Sequence, residues 1–247
     1  MRYIPDSMSE NLLSIVIPCK NEEKQIGKTL AALETQTMDM SGVPVYIADA
    51  GSSDSTRQII AEFVEKGKLK INLIPGGYPP EGRNKGASLC ESEYILFLDA
   101  DIELGENTSI EKSLNLALER NLDLVATYIK CRDGNQKDRI FWEKIHAFTY
   151  KYPYIVGPYA AGMFILIRRV RFLELGGFNE KMVLGDDWEL THKIPRKKFG
   201  VADTFIWTTN RRFMKQGYLK TFSQYFRVAV SKEFRQRDNT PYMKVKF

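Results

Sequence analysis

Apolar positions in the first half of the chain follow two alternating rhythms. LLSIVIP (12–18) is a nearly unbroken apolar run that stops at Pro18, the pattern of a strand buried on both faces. NEEKQIGKTLAALETQ then sets Ile26, Leu30 and Leu33 at helical spacing, with acids expected in the first turn. VPVYIAD (43–49) predicts a second strand. GSSDST supplies cap residues for a helix carrying Ile59, Ile60, Phe63 and Val64, which Gly67 ends. A third strand is predicted at 70–74, a helix at 84–91 and a strongly apolar strand, YILFLD, at 94–99. Thr108 and Glu111 have capping-box spacing ahead of Ile110, Leu114, Ala117 and Leu118, and LVATYI (124–129) reads as another strand. Strands alternating with helices of this length imply right-handed crossovers. The expected class is α/β, a mostly parallel central sheet flanked by helices.

From about residue 130 the rhythm breaks. An aromatic and basic stretch, DRIFWEKIHAFTYKYPYIVGPY, precedes AGMFILIRR, a further predicted strand, and no Pro- or Ser/Gly-rich linker marks a boundary. The 247 residues therefore read as one domain with a variable C-terminal part, large enough to bury a sizeable core. The longest apolar run, AAGMFILI at 160–167, is far shorter than the roughly 20 residues a membrane span needs. The polar first residues predict no export signal, and three cysteines without C-x-x-C spacing predict a reducing compartment. The expected location is cytoplasmic, with a peripheral position at the cytosolic face of a membrane left open. With two histidines in the chain, a divalent metal would be held mainly by carboxylates, which points to Mg²⁺ or Mn²⁺ rather than zinc.

Charge is uneven. Residues 1–167 carry 18 Lys/Arg against 23 Asp/Glu, whereas residues 168–247 carry 18 against 8. A basic third on a mildly acidic body implies an anionic partner, although many of these cations are ordinary solvated surface.

Ligands of open parallel sheets bind beyond the carboxyl ends of the strands. Three predicted strands end there in polar groups: Pro18 before Lys20, Asn21 and Glu22; Asp49 before Gly51 and Ser52; Asp99 before Asp101. No dinucleotide-binding or P-loop glycine pattern is present. In D-A-D (99–101) strand geometry points both carboxylates to one side, with Cα atoms roughly 7 Å apart. At about 5 Å two carboxylates repel by about 3 kcal/mol at an effective dielectric near 20. A divalent cation removes that penalty and can bridge a diphosphate. The plain alternative is a surface turn. In GRNKGA (82–87), Arg83 and Lys85 fall where a helix is expected to begin, which a bound anion would favour; Arg83 reaching solvent is the competing reading. Asp186 and Asp187, before a predicted helix, offer one N-cap and one free base, and spacing does not separate the two roles.

SIVIPCKNEEKQI, VYIADAGSSDST, GRNKGASLCESEYILFLDAD, GMFILIRRVRFLELGGFNE and GDDWEL, in this order, resemble the inverting glycosyltransferases of family 2, which have the nucleotide-diphospho-sugar transferase (GT-A) fold. The resemblance implies that Asp99, Ala100 and Asp101 form the metal and diphosphate motif, with Asp99 and Asp101 as ligands of Mn²⁺ or Mg²⁺ and Asp101 the more direct one. It implies that Pro18, Lys20 and Glu22 border the nucleotide, that Asp49 and Gly51 lie at the base or ribose, and that Arg83 and Arg212 lie near the donor phosphates. Asp187 matches the general base, with Asp186 where Glu is usual. The division it implies is a nucleotide-sugar half (1–129), an acceptor and base half (130–210) and a basic extension (211–247). ADAG replaces the commoner D-D-G and Lys20 an aromatic, so UDP- and GDP-linked donors both stay open. Gln224 to Arg227 begin like a processive-synthase signature, but Val228 replaces its Trp, which favours transfer of a single sugar.

The expected function is therefore metal-dependent, inverting transfer of one sugar from a nucleoside-diphosphate sugar to an acceptor hydroxyl or lipid phosphate, on a glycan or lipid-linked acceptor. Two alternatives stand beside it: a sugar nucleotidyltransferase of related fold, and a basic nucleic-acid-binding protein, which would leave the D-A-D and G-D-D acids unexplained. No nucleic acid partner is expected. Residues 208–237 set Leu219, Phe222, Tyr225, Phe226, Ala229 and Val230 at helical spacing among cations. That segment reads as a helix packed on the domain or as one lying on anionic lipid.

Overall fold

The computed structural model describes residues 12–133, 136, 139, 140, 143, 144, 157–182 and 184–209. Among the described residues eight strands, β1 (Leu13–Cys19), β2 (Pro44–Asp49), β3 (Lys70–Pro75), β4 (Tyr94–Leu98), β5 (Glu103–Leu104), β6 (Leu124–Cys131), β7 (Phe164–Arg168) and β8 (Phe199–Thr208), form one sheet in the order β3-β2-β1-β4-β7-β6-β8-β5. The pairs β3–β2, β2–β1, β1–β4 and β6–β8 are parallel. β7 runs against β4 and β6, and β5 against β8, so all strands but these two point the same way. The chain builds outward from β1 to β3 and then returns to the other side of β1 with β4. That reversal opens a crevice at the carboxyl ends of β1 and β4.

The helices whose full range is described are α1 (Ile26–Glu34), α2 (Thr56–Lys66), α3 (Pro79–Ala87), α4 (Ser109–Glu119), α5 (Arg169–Glu174) and α6 (Asp186–Thr191), and they cover the sheet. Ile26, Leu30 and Leu33 of α1, Ile60 and Phe63 of α2, and Ile110 and Leu114 of α4 join one core with Ile15, Ile17, Ile47 and Leu96. On the opposite face Ala87, Phe172 and Leu190 pack with Val16, Phe97 and Ile165. The continuous apolar runs of β1 and β4 follow from this covering on both sides. Among the described residues no helix is long and apolar enough to cross a membrane.

Three local expectations are corrected. α1 begins at Ile26, so Glu22 and Glu23 precede it and its first turn holds no acid. α3 begins at Pro79 and not at 84, because Pro79 and Pro80 suit the first helical positions, which need no N–H donor, and Glu81 accepts from the Tyr78 amide at 3.2 Å. Arg83 and Lys85 are thus interior to the helix, not at its start. Thr108 and Glu111 form no capping box: the Thr108 hydroxyl donates to Glu106, and Glu111 accepts from Thr37 at 2.7 Å.

Candidate active site

The loops leaving β1 and β2 are tied to each other. The Asn21 amide donates to Ser52 Oγ (2.9 Å), and Asn21 Oδ1 accepts from the Ser53 amide (2.9 Å). The Glu22 amide donates to Thr56 Oγ1 at 2.8 Å, and Glu23 exchanges bonds with Asp54 and the Ser55 amide. Asn21 takes φ +53°, a conformation that Asn tolerates better than most residues. This joint carries Pro18, Lys20, Glu22 and Gly51 at one rim of the crevice, with Lys20 and Gly51 exposed and Pro18 and Glu22 half-buried. Asp49, at the end of β2, accepts from Ser52 Oγ (2.5 Å) and from Arg57 Nε and Nη2 (both 2.6 Å). Burial works to raise its pKa, but the Ser52 and Arg57 hydrogen bonds outweigh burial and hold it below the ordinary value.

D-A-D follows β4. Ala100 is buried, and Asp99 and Asp101 are half-buried beside it. The buried Thr29 hydroxyl of α1 lies 2.9 Å from the Ala100 carbonyl and 2.7 Å from that of Ile102, which fixes the backbone of the motif. Burial pushes the Cys19 thiol well up, and the charges of Asp49, Glu22, Asp54 and Asp101 push it further. Those four acids, from the ends of three different strands and the loops after them, thus lie close enough to the end of β1 to act on its thiol.

Arg83 joins this group to the second half of the chain. It is 4% exposed; its Nη2 donates to Asp99 Oδ1 at 2.7 Å and its Nη1 to Asp186 Oδ2 at 2.8 Å, across 103 residues of sequence. The guanidinium lies 5.2 Å from the Phe178 ring, which packs on Phe97 and Phe172. Arg83 thus reaches neither solvent nor the N-terminus of a helix; the two carboxylates make its burial tolerable. Burial opposes its charge, but Asp99, Asp186 and Asp187 outweigh burial and keep it firmly protonated.

Asp186 and Asp187 open α6 after Gly185, which holds φ +79° as the N-cap, so neither acid is the cap expected from sequence. Asp187 Oδ2 accepts from the Gly162 amide (2.8 Å), with the Tyr159 hydroxyl 3.5 Å away, and its Oδ1 accepts from the Trp188 amide (2.7 Å). Burial raises Asp186 to about 6, since one guanidinium is shared among several carboxylates. Burial also raises Asp187, offset in part by the Gly162 amide, Arg83 and the Trp188 amide.

These residues suit a hard cation. Among the described residues no group of three or more His, Cys, Asp or Glu is gathered as a metal cage. Asp99 and Asp101 are the carboxylates at the strand end; Arg83 takes Asp99 Oδ1, and no hydrogen bond from a described residue reaches Oδ2. Cys19 is held as a thiol and is a poor ligand. Two carboxylates with the remaining positions left to phosphate oxygens and water is the donor set in which Mg²⁺ and Mn²⁺ are ordinarily bound.

The family model described as Glycosyl transferase family 2 matches residues 14–176. The chain belongs to glycosyl transferase family 2. Within that family, poly(ribitol-phosphate) beta-N-acetylglucosaminyltransferase TarS of Staphylococcus aureus is 31% identical over 97 residues, 38% of this chain and 17% of that protein. Poly(ribitol-phosphate) beta-glucosyltransferase of Bacillus spizizenii is 29% identical over 125 residues, 49% of this chain and 20% of that protein. The chain therefore spans 17–20% of the length of these relatives. Crystalline S. aureus TarS 1–349 with UDP-GlcNAc superposes with TM-score 0.64 at 20% identity, over 92% of this chain and 67% of that one. Mannosyltransferase PcManGT from Pyrobaculum calidifontis with GDP-Man and Mn²⁺ gives 0.60 at 17% identity, over 79% and 56%. The likeness shows the GT-A fold. The family 2 match ends before Asp186 and Asp187, whose relation to the other acids rests on the geometry above.

Arg212, Arg211, the 224–228 stretch and most of the aromatic segment 141–156 lie outside the described residues. Sequence reasoning missed Gly162, Thr29 and Asn84. A Cβ on Gly162 would come within 2.8 Å of Arg83 Nη2, and Asn84 bonds both the amide and the carbonyl of Phe178 (2.9 and 2.8 Å). None has a local pattern of its own; only the fold shows what each touches.

Proposed function

We propose that the protein transfers one sugar from a nucleoside-diphosphate sugar to an acceptor hydroxyl, with inversion at the anomeric carbon. The observation that supports this reading is the Arg83 bridge, which brings the D-A-D acids within one guanidinium of the G-D-D acids. In this reading Asp187 accepts the proton of the acceptor hydroxyl; its two amide hydrogen bonds aim the carboxylate, and its raised pKa makes it a better base than a solvated one. Asp186 stays paired with Arg83 and holds the start of α6 in place. Asp99 and Asp101 would hold Mn²⁺ or Mg²⁺, and the bound cation would offset negative charge gathering on the departing diphosphate. Asp49, anchored by Ser52 and Arg57, lies at the nucleotide end of the crevice, where its carboxylate accepts a hydrogen bond from an imide-type N–H such as that of uracil or guanine. One displacement with one base inverts the centre. Relatives named for UDP-GlcNAc and for GDP-Man with Mn²⁺ lend support to both nucleotides.

Thermal unfolding with UDP, GDP, CDP and dTDP, each with and without Mn²⁺, tests the reading. A ligand at 100 times its dissociation constant adds about 2.7 kcal/mol, a midpoint rise of roughly 5–10 °C for a chain of this size. A rise with UDP or GDP that needs Mn²⁺ and disappears in Asp101→Ala is expected. No rise with any diphosphate would remove the donor site.

A further inference from the structure

Away from the Arg83 cluster, β6 and β8 carry a row of rings and cations on one face. Their parallel register sets Tyr128 opposite Phe205 and Lys130 opposite Trp207, and the two β8 rings meet edge to face with centroids 5.3 Å apart. The Lys130 ammonium lies 3.6 Å from the Phe205 centroid and 5.9 Å from that of Trp207. The Arg132 guanidinium lies 5.6 Å from Trp207, and Arg139 Nη2 is 3.5 Å from the Arg132 carbonyl. Tyr128, Arg132 and Arg139 are exposed, and Lys130, Phe205 and Trp207 half-exposed.

Aromatic pairs across strands ordinarily stabilise a sheet, and that accounts for Phe205 and Trp207. It does not account for three cations gathered at their edge. Glu103 pairs with Arg132 at 2.6 Å, and the Asp133 carboxylate lies 3.9 Å from the buried Cys131 sulfur. Among the described residues no carboxylate pairs with Lys130 or Arg139, so the face keeps a positive balance. Its position is as telling. β6 runs in the direction of β4 and ends at the same edge of the sheet as Asp99. Leu124 and Ala126, earlier on this face of β6, pack in one cluster with Leu190 of α6. The row therefore continues the face on which α6 carries Asp186 and Asp187, and Glu103 follows Asp101 by two residues.

We infer that this face holds the acceptor through an extended, phosphate-bearing segment. Polyol or sugar units lie against Tyr128 and Trp207, while phosphates meet Lys130, Arg132 and Arg139 in charge-assisted hydrogen bonds. From Tyr128 to Arg132 the row is about 13 Å long, more than a single phosphate needs. The inference rests on the sugar-transfer reading, because it takes the occupant to be an acceptor.

Calorimetric titration of the full chain with a synthetic oligo(glycerol phosphate), with maltohexaose and with phosphatidylglycerol vesicles separates the occupants. The expected result is binding of the oligo(glycerol phosphate) that weakens with added salt, falls about tenfold or more in Lys130→Gln/Arg139→Gln, and returns in Lys130→Arg/Arg139→Lys. The midpoint rise with Mn²⁺ and UDP or GDP should be the same in all three proteins. Its absence in the wild type would strike the donor reading, whereas the oligomer titration addresses this face alone. Equal affinity in the Gln variant, tighter binding of maltohexaose, or vesicle binding through the same residues without oligomer binding would overturn the inference.

Discussion

Asp187 shows how little of a residue's chemistry lies in its identity. The same carboxylate on an exposed loop would be a solvated anion. Here two backbone amides fix both oxygens and burial raises its proton affinity. On the proposed role, Asp187→Asn keeps the shape and removes the base, so turnover should fall by about 10²–10⁴-fold while the Mn²⁺–diphosphate midpoint rise is retained. Unchanged single-turnover rates would remove Asp187 from the role. The neighbouring pair also predicts a pH dependence. With Asp186 and Asp187 both raised and titrating together, the acid limb of kcat should lie above the ordinary carboxylate range. For stability the sign is the reverse of the usual carboxylate. The folded chain takes up a proton below pH 6 that the unfolded chain takes up only near 3.8, so this contribution is complete below 3.8 and is lost as pH rises through 6. Thermal midpoints of wild type and Asp186→Asn between pH 4 and 7 check it: relative to the variant, the wild type should gain as pH falls.

At the scale of elements, α3 aims Arg83, and what aims α3 is the absence of side chains. A Cβ on Gly86 would meet Val16 Cγ1 at 2.3 Å, and one on Gly82 would meet the Ala48 Cβ at 3.2 Å, so the helix lies directly on β1 and β2. Gly86→Ala gains helix propensity but forces α3 off β1. Overpacking of this kind costs about 1–3 kcal/mol, and it would also swing Arg83 away from Asp99. The expected outcome is a lower thermal midpoint together with weaker Mn²⁺–diphosphate binding; a variant as stable as wild type with full binding would show that the close approach is not what positions Arg83. β1, β2, β3, β4, β6 and β7 and helices α1, α2 and α4 were legible from their apolar runs and periodicity, whereas β5 and β8 were not read. The start of α3 was not, since a mean apolar pattern is absent from PPEGRNKGA and its N-terminus is set by prolines.

Across the whole molecule, the same division recurs. The ends of β1, β2 and β4 announced themselves as polar groups after apolar runs, so the acids at these strand ends were readable in sequence. What joins them to Asp186 and Asp187 was not, because Arg83 finds Asp186 103 residues away and Asp187 finds the Gly162 amide 25 residues away. Residues alone left Arg83 a bound anion or solvent; its burial between Asp99 and Asp186 appears only in the fold. The consequence is a testable coupling. Arg83 shares its guanidinium between Asp99 and Asp186, so whatever draws on Asp99 alters how firmly the start of α6 is held. Binding of Mn²⁺ with UDP or GDP should therefore change amide hydrogen exchange at Gly162 and over 186–191, outside the family 2 match, and Arg83→Lys should weaken that response more than it weakens binding. If exchange at Gly162 and α6 is indifferent to the nucleotide, the two halves are energetically independent, and the bridge is a structural pair that merely lies between them.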